Sequence, residues 1–144
     1  MQTCETAQAL HGPLEIRPAT LEDMPFLVAL AQEAYPGRGI ERGIPWMEWA
    51  IQNPERLVLI GPGCAGVAQV SWNYGFERRA RLDMLAGKSH WSTFKMVRHM
   101  LAWAKSMGAT GNFRLDADTG VDFAPFAKRL GGKPVTLTRY EIPL

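Results

Sequence analysis

An apolar run, 57–60, and a returning segment, 67–72, are separated by the turn Gly61-Pro62-Gly63-Cys64-Ala65-Gly66, and this pairing constrains the fold more than any other feature. A connection that short can only bring the second run back antiparallel to the first, since a parallel return needs a crossover of a dozen or more residues. The first run, Leu-Val-Leu-Ile, is apolar at every position. It therefore reads as a strand buried on both faces. A second turn at Tyr74-Gly75 leads to a third strand over 80–85, which completes a meander.

The flanks add helices and further strands. Residues 14–17 alternate apolar and polar and form a strand that Pro18 ends. Thr20 and Asp23 have the spacing of a capping box, with Asp a short side chain for the part. Leu27, Leu30, Ala31 and Ala34 then recur at helical spacing, so a first helix runs to about Tyr35, where Pro36-Gly37-Arg38-Gly39 breaks it. A second helix fits 45–52, with Trp46, Trp49, Ala50 and Ile51 as its apolar side, and Asn53-Pro54 stops it. The longest helix covers 90–107. Phe94, Val97, Leu101 and Ala104 form its core stripe, widened by Met100. Lys95, Arg98, His99 and Lys105 lie opposite, and Gly108 is the natural C-cap. A strand over 113–117, a helix over 123–130 closed by Gly131-Gly132, and a strand over 135–142 complete the chain. The order β-α-α-β-β-β-α-β-α-β implies an α/β (α+β) domain with a mixed, mostly antiparallel central sheet and helices on both faces. Residues 13–144 form this single domain, and 1–12, which lack periodicity, form a flexible leader.

Composition excludes several alternatives. Apolar residues at 47% and charged residues at 21% are the balance of a folded domain, not of a disordered tail or coiled coil. No apolar run approaches the ~20 residues of a membrane span, and 1–13 lack the pattern of a signal peptide. Cys4, Cys64, His11, His90 and His99 are dispersed, so neither a zinc site nor a disulfide framework is expected, and the setting reads as cytoplasmic. Cys64 has no neighbouring base in the sequence and is not expected to act as a nucleophile. Charge is uneven. Residues 1–72 carry four basic and eight acidic side chains, net −4, and 73–144 carry twelve and six, net +6. The basic excess concentrates in 77–105, which suits an anion: a phosphorylated cofactor, nucleic acid or an acidic protein. A solvated helix face is the plainer explanation.

The element order, headed by LEIRPATLEDMPFLVALAQEAY, resembles the GNAT superfamily of N-acetyltransferases. The IRPAT..D opening, the two-helix insertion after it, Gly66 entering the third strand, the WAKSMGA helix end and the late PFAKRLGGKPV segment carry the likeness, which covers about residues 14–143. It implies acetyl-CoA as acyl donor, no metal, and a splayed pair of strands, the fourth and fifth, whose unpaired backbone holds the pantetheine arm. Met84 and Leu85 lie on that fourth strand. The family's phosphate loop, R-x-x-G-x-G/A, falls on Lys88, Ser89, His90, Trp91, Ser92 and Thr93. Amide groups at the amino end of a helix bind such a phosphate. Lys88 keeps the basic position, while Trp91 and Thr93 replace the glycines. The indole of Trp91 either fills the phosphate site or stacks on adenine. Bulky apolar side chains at a helix start are usually packed, so a filled site is the expectation.

The tyrosine that many members carry on the last helix as general acid is Ala127 here, beside Phe126. Tyr140 on the last strand is the alternative acid. Asp83 is the best-placed carboxylate for a general base, ahead of Glu33, Asp116 and Asp118. Its competing role is as ion-pair partner of Arg81 or Lys88. Tyr35, Arg38, Arg42 and Trp46 fall where the acceptor site is shaped, with Trp46 and Trp49 equally readable as core residues. His90 in the first helical turn either donates to phosphate or sits at the surface, and His99 is a solvated residue.

Three functions follow. The first is transfer of an acetyl group from acetyl-CoA to a primary amine of a small molecule or protein. The second is a GNAT-like scaffold without cofactor chemistry, with protein partners in an assembly; small GNAT-like virion proteins of tailed bacteriophages are similar in size and in their basic, glycine-poor loop. The third, nucleic-acid binding through 78–105, is disfavoured because no exposed interleaved aromatics and no recognised reading motif are expected in that block.

Overall fold

The computed structural model describes residues 12–116 and 123–144. The expected leader before Gly12, with Cys4 and His11, lies outside the described residues, as does Asp118. Two compact units are present, Met1–Arg114 and Leu115–Leu144.

The first unit holds a five-stranded sheet in sequential order, β1 (Arg17–Pro18), β2 (Arg56–Gly61), β3 (Cys64–Asn73), β4 (Glu77–Gly87) and β5 (Phe113–Arg114). The first three pairings are antiparallel and the last is parallel. The mixed sheet expected from the sequence is therefore the one observed. Helices α1 (Met24–Ala34) and α2 (Ile44–Gln52) precede the meander, and α3 (His90–Ser106) crosses from β4 to β5. Phe26, Leu27 and Leu30 of α1 and Ala50 of α2 pack with Val58, Ile60, Ala65 and Val67 on one sheet face. Met96 and Met100 of α3 pack with Leu59, Cys64 and Ala68 on the other. Both faces of β3 are thus covered, and its residues 64–70 are buried without interruption.

Local chemistry sets the ends. The Thr20 amide donates to Asp23 Oδ2 at 2.8 Å, the capping contact expected from the sequence. Arg17 bonds the same carboxylate through both terminal nitrogens, and these hydrogen bonds hold the Asp23 carboxyl below the usual carboxylate range. Helix α3 ends before Gly108, which adopts a left-handed conformation, φ 80°, as a C-capping glycine does.

One irregularity in β4 reorganises the sheet. Val67 of β3 pairs with Met84 and Ala68 pairs with Leu82, so Asp83 is an extra residue, a β-bulge. Strict alternation would have placed Arg81, Asp83 and Leu85 on one face. Instead Met84 and Ala86 pack toward α1 and α2, and Leu82 and Leu85 toward α3.

Several expectations need correction. The first strand comprises only Arg17–Pro18, and Leu14 is solvent-exposed. Ladder bonds require a partner, and only this stretch lies opposite Leu59 and Ile60. Trp46 and Trp49 are not core residues; Ala50 fills the core position, with Met47 and Ile51 beside it. The α3 stripe is rotated, with Thr93 and Met96 buried, while Phe94 and Leu101 are half-buried. Strand β5 is two residues long instead of five.

The second unit contains α4 (Ala124–Arg129), capped by Leu130 N donating to Phe126 O and Gly132 N donating to Ala127 O. The strand expected over 135–142 does not form, and Val135, Leu137, Tyr140 and Ile142 are exposed. β-Branched content makes a segment suited to a sheet but cannot replace a hydrogen-bonded neighbour.

Gly87 leaves no room for a side chain between β3 and α3. A Cβ there would lie 2.7 Å from Cys64 Cβ and 2.8 Å from Thr93 Cγ2, neither at the end of a flexible chain. Gly87→Ala is expected to cost about 1–3 kcal/mol of stability through overpacking. Urea unfolding checks this as a lowered midpoint with unchanged slope.

Candidate functional site

Strand β4 presents two different surfaces. Along its edge, pairing to β5 is confined to Ala80↔Phe113 and Arg81↔Arg114. Beyond that point, 82–87, including Met84 and Leu85, have no partner strand on that side among the described residues. Pairing of β4 with β5 thus stops at Arg81, because β5 itself ends at Arg114.

The open edge leads directly into the amino end of α3. Ser89 is the N-cap, its Oγ accepting from Ser92 N at 3.3 Å. Thr93 N donates to Ser89 O, and Thr93 Oγ1 bonds the carbonyls of Ser89 and His90. Thr93 is buried, so its side chain faces the sheet and not solvent. Its hydroxyl is satisfied locally, which makes a Cβ tolerable where a glycine was expected. His90 and Lys88 are exposed, and Lys88 forms an ion pair with Glu33 of α1.

Trp91 overturns the expectation of a packed indole. Its ring is 56% exposed. It stacks on Phe94, centroids 5.8 Å apart, and receives Lys95 Nζ at 5.1 Å. Those partners are three and four residues further along α3, so the indole lies along the helix flank and does not plug its amino end.

The second surface is a shallow depression of about 420 Å³, open to solvent, lined by Trp46, Arg56, Arg81, Asp83 and Met84. Register explains the assembly. Arg56 of β2 lies opposite Gln69 of β3, which lies opposite Arg81 of β4, so the three form one row on the α1/α2 face. The bulge then brings Asp83 into the row. Gln69 Nε2 donates to Asp83 Oδ1 at 3.0 Å and Arg81 Nε donates to it at 3.2 Å. Arg56 Nε pairs with Oδ2 at 3.3 Å, out of line for a hydrogen bond. The Arg56 guanidinium lies 5.2 Å over the Trp49 ring. Of the two ion-pair partners expected for Asp83, Arg81 is present and Lys88 is engaged elsewhere. Sequence reasoning missed Arg56 and Gln69. The available signal was Gln69 itself, a polar residue inside the otherwise apolar stretch 64–70 and only 5% exposed.

The remaining candidates separate. Tyr35 is half-buried at the end of α1 with Arg38 5.9 Å from its ring, and Trp46 alone of that trio lines the depression. Arg42 and His99 are exposed. Tyr140 is 87% exposed and belongs, with the half-buried Asp116, to the second unit. Cys64 is fully buried at the start of β3, and burial pushes its thiol up to about 11. Among the described residues, no group of three or more potential metal ligands gathers, and no helix is long and apolar enough to cross a membrane.

No protein-family model and no curated protein matches the chain. Solved structures do. The aminoglycoside antibiotic 6'-N-acetyltransferase AAC(6')-IG from Acinetobacter haemolyticus superposes with a TM-score of 0.73 at 14% identity, covering 91% of this chain and 99% of that one. AAC(6')-Ih from Acinetobacter baumannii gives 0.65 at 16% identity, covering 90% and 99%. A transcriptional regulator from Bacillus halodurans gives 0.70 at 13% identity, covering 91% and 99%. At such identities the shared property is the fold, a divergent GNAT fold.

Because the folded thiol of Cys64 titrates above its ordinary value of 9.0, its contribution to stability is complete below pH 9 and is lost as pH rises toward 11. Urea melts across that window should decline less steeply for Cys64→Ala than for the parent chain.

Proposed function

We propose that this GNAT-fold domain transfers an acetyl group from acetyl-CoA to a primary amine. The observation that carries the reading is the open β4 edge, 82–87, running into the amino end of α3 with no side chain of Trp91 across it. The residues suit the cofactor. Met84 and Leu85 would present backbone donors and acceptors to an extended pantetheine arm. The N-terminal amides of α3, together with Lys88, would balance a diphosphate. Binding there sets Lys88 in competition with its ion pair to Glu33, an exposed and hence weak contact. When bound, acetyl-CoA supplies the activated thioester.

The chain's part is positioning and proton removal. Asp83 is the carboxylate of the depression, beside the open edge, and takes the role of accepting a proton from the incoming ammonium group, directly or through water. Gln69 and the two arginines hold it in place. The departing thiolate takes its proton from solvent.

A second reading, a GNAT scaffold without cofactor chemistry and with a protein partner in its stead, is favoured by the Lys88–Glu33 pair, which occupies the basic residue of the loop. Calorimetry with acetyl-CoA separates the two. Binding in the micromolar range is expected, and no heat at millimolar ligand would end the first reading. With the indole exposed, Trp91→Gly should weaken acetyl-CoA binding by about 3–10-fold through lost stacking on adenine. Tighter binding by this variant would instead mean that the ring obstructs the site.

A further inference from the structure

We infer that the acceptor amine taken by the Trp46–Asp83 depression also carries a carboxylate, as an amino acid does. The inference rests on the acyl-transfer reading above and narrows it. Charge decides first. The depression is lined by two guanidiniums and one carboxylate, whose Oδ1 accepts from Arg81 and Gln69 while Oδ2 is ion-paired to Arg56 without a hydrogen bond. A net positive, arginine-lined depression repels a polycation and attracts an anion.

Geometry decides second. Arg81 spends only its Nε on Asp83, its side chain is 49% exposed, and its terminal nitrogens have no acceptor among the described residues. Arg56 is oriented by Trp49 and Asp83, which leaves its own terminal nitrogens without an acceptor among the described residues. Two forked donors held by one carboxylate and an aromatic ring match the planar, bidentate geometry of a second carboxylate. Trp46 and Met84 supply an apolar wall for the stem that joins acid to amine. This acceptor class differs from the aminoglycosides named for two of the structural matches.

The test uses L-phenylalanine, its decarboxylated counterpart phenethylamine, and kanamycin. Binding to the full chain is read by tryptophan fluorescence without acetyl-CoA, and transfer by thiol release with it. Phenylalanine should bind about ten-fold tighter than phenethylamine, the effect of charge-assisted hydrogen bonds to a carboxylate. Arg81→Gln should reduce that preference to about three-fold or less while Arg81→Lys restores part of it. Trp46→Ala, at an exposed position that tolerates truncation, should weaken both ligands alike. Equal binding of the pair, or tightest binding of kanamycin, overturns the inference. The two levels fail separately. Arg81-dependent preference without thiol release upholds the carboxylate site and removes acyl transfer. Thiol release with phenethylamine or kanamycin ahead of phenylalanine upholds acyl transfer and removes the carboxylate site.

Discussion

A single extra residue in β4 governs the site. The bulge at Asp83 lets Leu82 and Leu85 both pack toward α3 while Arg81, Met84 and Ala86 serve the opposite face. Without it, one half of the strand would present its side chains to the wrong layer, because the side-chain period of a strand is two. Bulges re-aim side chains at the cost of one unpaired position. Here the re-aimed residue is a carboxylate, and it completes a polar row that three strands had already assembled.

The two surfaces of β4 are therefore linked mechanically. The row formed by Arg56, Gln69, Arg81 and Asp83 lies on the face toward α1 and α2. The open edge beyond Arg81 lies within the plane of the sheet and meets the amino end of α3. The Ser89 cap marks where that helix begins, and Gly87 just before it leaves no space for a side chain against Cys64 and Thr93. The unpaired edge, the amino end of α3 and the charged depression thus meet at one strand.

Much of this was legible. The antiparallel meander, the long helix and the Thr20–Asp23 cap followed from turn residues and periodicity, which are local properties. The loop 88–93 was located by residue pattern, and the ion pair of Asp83 with Arg81 by proximity along a strand. The less legible part involved residues whose partners lie on other strands. Arg56 reads in sequence only as a charge at the head of an apolar run, and its role appears once β2 and β3 are in register. Trp91 was expected packed, and Trp46 and Trp49 were readable either as core or as acceptor-site residues, yet smaller neighbours such as Ala50 and Met96 fill the core positions. The strand expected over 135–142 has the composition for a sheet but no ladder of its own.

Sequence alone determined the order of elements, the antiparallel return at Gly61–Gly66 and the place where a helix meets the end of the fourth strand, because turns, caps and apolar periods act over a few residues. Tertiary structure decided the face to which each residue of β4 points, the group that neutralises Asp83 and the position of the Trp91 indole. Those outcomes depend on register and on competition for volume between elements far apart in the chain, which a local pattern does not encode.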